Sequence, residues 1–204
     1  MRPIPAFKSS LLAVLTIFGF AFSVPAAEPK PATPNLVTLT FWVAGVECIS
    51  CVDVVSRSVA DLKGVTNVSM TQAFDPYANI TFDPAIVSAH QIAQAILEAP
   101  PLHGKPYEPT LRLRIPHYEK AGNAARVDAV FARQKEWVEV DTIDKTKGEF
   151  ILHFLELEST DGKKGPFGWN PAQFEKPLSD PAPKGLGLAF QFETDGQEPA
   201  AGKP

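Results

Sequence analysis

The sequence predicts an α+β chain made of two small βαββαβ units, the second of them degenerate. Strand-like alternation and helix-like spacing follow one another in that order from residue 37 to residue 110. The same apolar positions then return 72 residues later, and prolines crowd the two ends and the connections rather than the patterned blocks.

In the first block Val37, Leu39, Phe41 and Val43 alternate with Thr38, Thr40 and Trp42, the signature of a strand with one buried face. Gly45 to Ser50 reads as a loop. Val52, Val55, Val59 and Leu62 then share one face of a helix, which Lys63 and Gly64 end. Residues 65–71 and 78–82 read as two strands joined by a turn containing Asp75 and Pro76. Ser88 can cap a second helix whose buried face is Ala89, Ile92, Ala93 and Ile96, and Pro100 with Pro101 stops it. A short fourth strand is expected near 107–110. This order is the ferredoxin-like split βαβ arrangement.

At the offset of 72, Leu39 falls on Leu111, Phe41 on Leu113, Val43 on Ile115, Val55 on Val127 and Val59 on Phe131. Val65 falls on Trp137, Val68 on Val140, Ile80 on Leu152 and Phe82 on Phe154. A shared βαββ pattern is enough to explain such matches, so the expectation is a repeated fold. After Phe154 the match fails: residues 159–169 are rich in glycine and lysine where a second helix belongs. Asn170 and Pro171 suggest a short late helix, and 185–192 a last strand.

The start reads as a targeting segment. Arg2 and Lys8 precede an uncharged run, 11–24, and small residues follow at Ala26 and Ala27, so cleavage is expected after one of them. A run of 14 residues is short of the about 20 that a membrane-spanning helix needs. The expected organisation is a signal peptide over 1–27, a proline-rich lead over 28–35, a first domain over 36–110, a second unit over 111–193 and a tail over 194–204. The mature chain is expected to be periplasmic or secreted and to have no membrane span. Without Arg2 and Lys8, the 19 basic residues fall to 17 against 23 acidic ones, a net charge of −6. That balance excludes the basic footprint of a nucleic-acid binder.

The chain holds only two cysteines, Cys48 and Cys51. Their spacing puts Cys48 in the loop and Cys51 in the first turn of the helix, so both sulfurs can converge on one point. The partial positive charge of a helix N-terminus favours thiolate over thiol. Two convergent thiolates suit a soft ion of low coordination number such as Cu(I), whereas a structural zinc site uses four ligands. Two other readings of the pair stand beside this one. It can be a structural disulfide, since exported proteins meet an oxidising compartment, although so short a loop gains little from closure. It can also be a thiol–disulfide redox centre, although thioredoxin-like centres set C-x-x-C in another βαβ context.

Gly45-Val46-Glu47-Cys48-Ile49-Ser50-Cys51, between a first strand and a first helix, resembles the G-M-x-C-x-x-C signature of heavy-metal-associated domains. That family includes copper chaperones, the N-terminal domains of metal-pumping ATPases and periplasmic mercury-binding proteins. The resemblance covers residues 36–112. It implies an ion carried by Cys48 and Cys51: Cu(I) first, with Hg(II), Zn(II) and Cd(II) as further candidates. It also implies a metal-donor or metal-acceptor protein as partner, a membrane metal transporter among them. One departure is Val46, which stands where the family has methionine and keeps an apolar plug beneath the loop.

His103 lies in the connection after the second helix, which in this fold runs beside the metal loop, and is a candidate third contact to the ion. Lys105 or Tyr107 can occupy the family's loop position near the site. His90, near the start of the second helix, and His153, on the outer side of a strand, are expected to be solvated. Trp42, Trp137 and Trp169 are scattered and read as packing residues. The second unit carries His117, Lys120 and Asn123 where the first has Gly45, Cys48 and Cys51, so it cannot repeat the site. No nucleophile–base set or distinctive carboxylate pair is visible, and the sequence predicts a binding protein rather than an enzyme. The rival reading is a periplasmic redox or protein-interaction module without metal.

Overall fold

The computed structural model describes residues 35–72, 75–120, 122–158 and 165–194. The expected signal segment lies outside the described residues, as do all of the lead but Asn35 and all of the tail but Thr194. The elements run β1 (Val37–Ala44), α1 (Ile49–Ala60), β2 (Val65–Thr71), β3 (Tyr77–Phe82), α2 (Ala89–Leu97) and β4 (Glu108–Arg114). They continue with α3 (Asn123–Ala132), β5 (Val138–Asp144), β6 (Glu149–Phe154), α4 (Ala172–Ser179) and β7 (Gln191–Phe192).

All seven strands join one antiparallel sheet in the order β2-β3-β1-β4-β6-β5, with β7 also paired to β4. The first unit uses β2-β3-β1-β4 and the second β5-β6-β4-β7, the same ferredoxin-like order twice. β4 is the last strand of one unit and the first strand of the other. The sequence pattern placed a boundary between Thr110 and Leu111, and that point falls inside this single strand. Glu108, Pro109 and Thr110 pair with β1, while Thr110 to Arg114 pair with β6 on the opposite edge.

The offset of 72 fixes more than the element order. Leu39 pairs with Ile80 and Phe41 with Ala78; their counterparts Leu111 with Leu152 and Leu113 with Phe150 keep the same register. Loop bonds repeat as well: Val43 N–H donates to the Pro76 carbonyl at 2.9 Å, and Ile115 N–H to the Gly148 carbonyl at 2.8 Å. Leu39, Phe41, Val43, Leu111, Leu113 and Ile115 are all buried in one continuous core with Val55, Val59, Val127 and Phe131 from the helices. Removing side chains of this size from water stabilises the fold by roughly 1.5–3 kcal/mol each.

The departures from the sequence expectation lie in the second unit. The strand expected over 185–192 shrinks to Gln191 and Phe192, which pair with Arg114 and Leu113. The pairing is antiparallel, so residues before Gln191 would have to lie opposite residues beyond Arg114, where β4 has ended. Leu186 and Leu188 instead donate their N–H groups to Pro177 and Leu178 at the end of α4. The late helix forms at Ala172, directly after Asn170 and Pro171.

His90 overturns the expectation of a solvated residue: it is wholly buried. The Trp169 N–H donates to its Nδ1 at 3.3 Å, which leaves the proton on Nε2 to donate to the Leu155 carbonyl at 2.6 Å. Neighbouring contacts lock the same junction. Ser88 Oγ donates to the Phe167 carbonyl, Ala89 N–H to Asn170 Oδ1, and Leu157 N–H to Gln94 Oε1. The N-terminal half of α2 is therefore buried on two sides, by its own sheet and by Leu155, Leu157 and residues 167–170 of the second unit.

Candidate metal centre

β1 and β4 lie side by side, with Ala44 opposite Glu108. The loop leaving β1 and the connection entering β4 therefore meet at one end of the sheet. Gly45 makes the meeting close. Its φ is +84°, and a Cβ there would stand 2.6 Å from the Pro106 carbonyl oxygen, so only glycine fits. Val46 points into the core and anchors the loop from below.

Cys48 is the N-cap of α1, with an extended backbone, and its Sγ accepts from the Cys51 N–H at 3.3 Å. This local bond satisfies one of the free N–H groups of the first turn and turns both sulfurs to the same side. The two Sγ atoms are 3.1 Å apart and both thiols are free. Burial would push the Cys51 thiol up, but hydrogen bonds from Cys48, from the Tyr107 hydroxyl and from the loop backbone outweigh it and bring it down to about 7. Tyr107 is buried and holds its own proton more tightly than a free tyrosine, through burial and its bond to Cys51. Of the two candidates for the loop position, Tyr107 faces the sulfur, while Lys105 pairs with Glu47 at 3.4 Å.

His103 completes the group. Its Nε2 lies 3.3 Å from Cys48 Sγ, and one donor atom from each of Cys48, Cys51 and His103 falls within 4.8 Å of the others. No other such cluster of histidine, cysteine and acidic side chains occurs among the described residues. Two sulfurs and an imidazole nitrogen form a donor set that fits a soft metal ion.

No family model matches the sequence, and no curated protein does. A solved structure does. The N-terminal soluble domains of Bacillus subtilis CopA share 18% identity with this chain at a TM-score of 0.31. The alignment covers 79% of this chain and 96% of that one.

The second unit keeps the loop and replaces its chemistry. Asn123 N–H donates to the Lys120 carbonyl at 2.9 Å, where Cys51 N–H donates to the Cys48 carbonyl at 3.0 Å. Tyr118 is buried at the position of Val46. Asn123 Nδ2 donates to the His117 carbonyl at 2.9 Å, so a side-chain amide closes the turn that carries the thiols in the first unit. His153 sits on the outer face of β6, partly exposed and 3.5 Å from Asp141, away from any donor cluster. Sequence reasoning missed the part played by the Gly45–Pro106 approach. Its signal was a glycine and a proline at facing ends of two strands.

Proposed function

We propose that the protein is an exported carrier of one soft metal ion, Cu(I) first among the candidates, held by the thiolates of Cys48 and Cys51. The observation that carries the reading is the convergence of both sulfurs at the start of α1, where hydrogen bonds bring the Cys51 thiol below its ordinary value, to about 7. Thiolate is the form that binds a soft ion, and binding displaces the remaining protons. A heavy-metal-associated domain in the first unit accounts for this arrangement. Such a carrier exchanges its cargo with a donor or acceptor protein, a membrane metal transporter included. Among the described residues no helix is long and apolar enough to cross a membrane.

Titration of the reduced protein tests the reading. One Cu(I) or Hg(II) should bind per chain, and Cys48→Ser or Cys51→Ser should abolish nearly all of it while the fold persists. Stoichiometric tight binding in Cys51→Ser would sink the proposal. Export is tested separately: protein from the cell envelope or medium should begin at Ala27 or Glu28, and full-length chain in the cytosol would refute it.

A second reading, a thiol–disulfide redox module without metal, draws on the same acidic thiol and the 3.1 Å sulfur separation. Protein isolated from its native compartment decides between them. A stable disulfide that no soft ion competes with favours the redox module, and bound metal favours the carrier. No catalytic role is proposed for any residue in the carrier reading.

A further inference from the structure

We propose that His103 is a third and exchangeable donor to the ion, so that the cargo sits between two sulfurs and one nitrogen and the nitrogen is the ligand an incoming thiolate replaces. This rests on the soft-ion reading above and names how the same site holds and releases its cargo.

The three donors differ in access. Cys51 is buried, Cys48 is half-buried and His103 is exposed. An ion bound to both sulfurs therefore faces solvent on the side of His103, and any partner must approach from there. Among the described residues the His103 ring has one polar contact, to Cys48 Sγ. The ring is thus positioned by the site itself and is not committed to another bond.

The connection that carries His103 is tied at both ends and loose in the middle. The Leu102 N–H donates to the buried Tyr107 hydroxyl at 3.4 Å, and Lys105 reaches Glu47 on the opposing loop. Between them Gly104 adopts φ +75° with nothing within 4 Å of where a Cβ would be. The ring can swing outward about this unpacked glycine without disturbing Tyr107.

The exchange balances simply. An incoming thiolate, already deprotonated, forms a metal–sulfur bond as the metal–nitrogen bond of His103 breaks. Imidazole leaves neutral, no electron moves, and Cys48 and Cys51 keep the ion until the partner supplies a second sulfur. Nitrogen is the donor most readily lost, because a soft ion prefers thiolate.

X-ray absorption on the full reduced protein loaded with one Cu(I) tests this, together with competition against a chromogenic Cu(I) chelator. The expected first shell is two sulfurs and one nitrogen, and His103→Ala should show two sulfurs only. The variant should still bind one ion but lose it to the chelator at roughly tenfold lower concentration, a loss of the size that even outer partners of a metal ligand cause. Added monothiol should replace the nitrogen signal with a third sulfur. A sulfur-only shell in the unchanged protein, or unchanged retention in His103→Ala, overturns the third donor. A nitrogen that persists against monothiol overturns the exchange. Failure of the unchanged protein to bind the ion at all would instead remove the carrier reading.

Discussion

The imidazole of His90 donates through Nε2 to the carbonyl of Leu155 at 2.6 Å, joining the first unit's second helix to the residue that follows β6. The other ring nitrogen accepts from the Trp169 backbone N–H, a bond that only the neutral ring can make. Trp137 and Phe154 pack against the ring, and Gly168 lies close beside it.

Burial holds the His90 pKa below the ordinary histidine value of 6.5, against the opposing effect of the Leu155 bond. In the unfolded chain the ring takes its proton first as pH falls, so the unfolded state binds more protons and stability is lost below about 6.5. Urea midpoints should therefore drop between pH 7.5 and 5. In His90→Phe that slope should be smaller than in the unchanged protein. The same variant should cost about 1–3 kcal/mol at pH 7.5, because the Leu155 carbonyl and Trp169 N–H lose their buried partner.

The Cys51 thiol should ionise around pH 7 in reduced, metal-free protein, as read by thiolate absorbance. Tyr107→Phe removes one of the hydrogen bonds that oppose burial, and should move the midpoint up. Because the folded pKa lies below that of a free thiol, the contribution to stability is present at high pH and lost as pH falls through about 7. An unshifted midpoint in Tyr107→Phe would remove the hydroxyl from the site's electrostatics.

Gly45→Ala should act on the metal site through the backbone. A left-handed conformation costs a residue with a Cβ roughly 1–2 kcal/mol, and the clash with the Pro106 carbonyl adds to it. The connection holding His103 and Tyr107 must then move away from Cys48 and Cys51. Melting temperature and Cu(I) retention should fall together, whereas Gly104→Ala, with open space around it, should leave the Tyr107 contact intact.

A fragment ending at residue 107 should fail to fold, since β1 loses its neighbour and Val43 its cover. One running from 35 to 114 keeps the first four strands but bares Leu111, Leu113 and the side of α2 that holds His90. It should retain the Cu(I) site, melt below the full chain and bind a hydrophobic dye. A fragment of residues 109–194 should bind no Cu(I), because Lys120 and Asn123 stand where the thiols would be. Equal melting temperatures for fragment and full chain would show that the two units do not depend on each other.

Much of this was legible because its physics is local or periodic. Alternation in Val37 to Val43 and the i, i+3, i+7 spacing of Val52, Val55 and Val59 mark elements whose buried faces follow from geometry alone. The recurrence at 72 even carries the strand register, since each apolar position must meet the same partner to stay in the core. The approach of Cys48 and Cys51 was equally local, three residues apart at a helix start. His90 was not legible, because its cover comes from Leu155, Gly168 and Trp169, beyond the point where the repeat breaks down. A second stripe of His90 and Gln94, four apart and beside the apolar face, was the trace it left. The division at Thr110 was misplaced for a related reason: pattern matching assigns each residue to one unit, whereas a strand has two edges and β4 uses both.

A strand with two owners cannot change its alignment for one of them alone. Inserting a single residue near Thr110 would turn Leu111 and Leu113 out of the core and Arg112 and Arg114 into it, while the pairing with β1 also shifts. Sequence drift that either half could tolerate in isolation is thereby forbidden to both. Length changes should accumulate in the connections on either side of β4 and not within it.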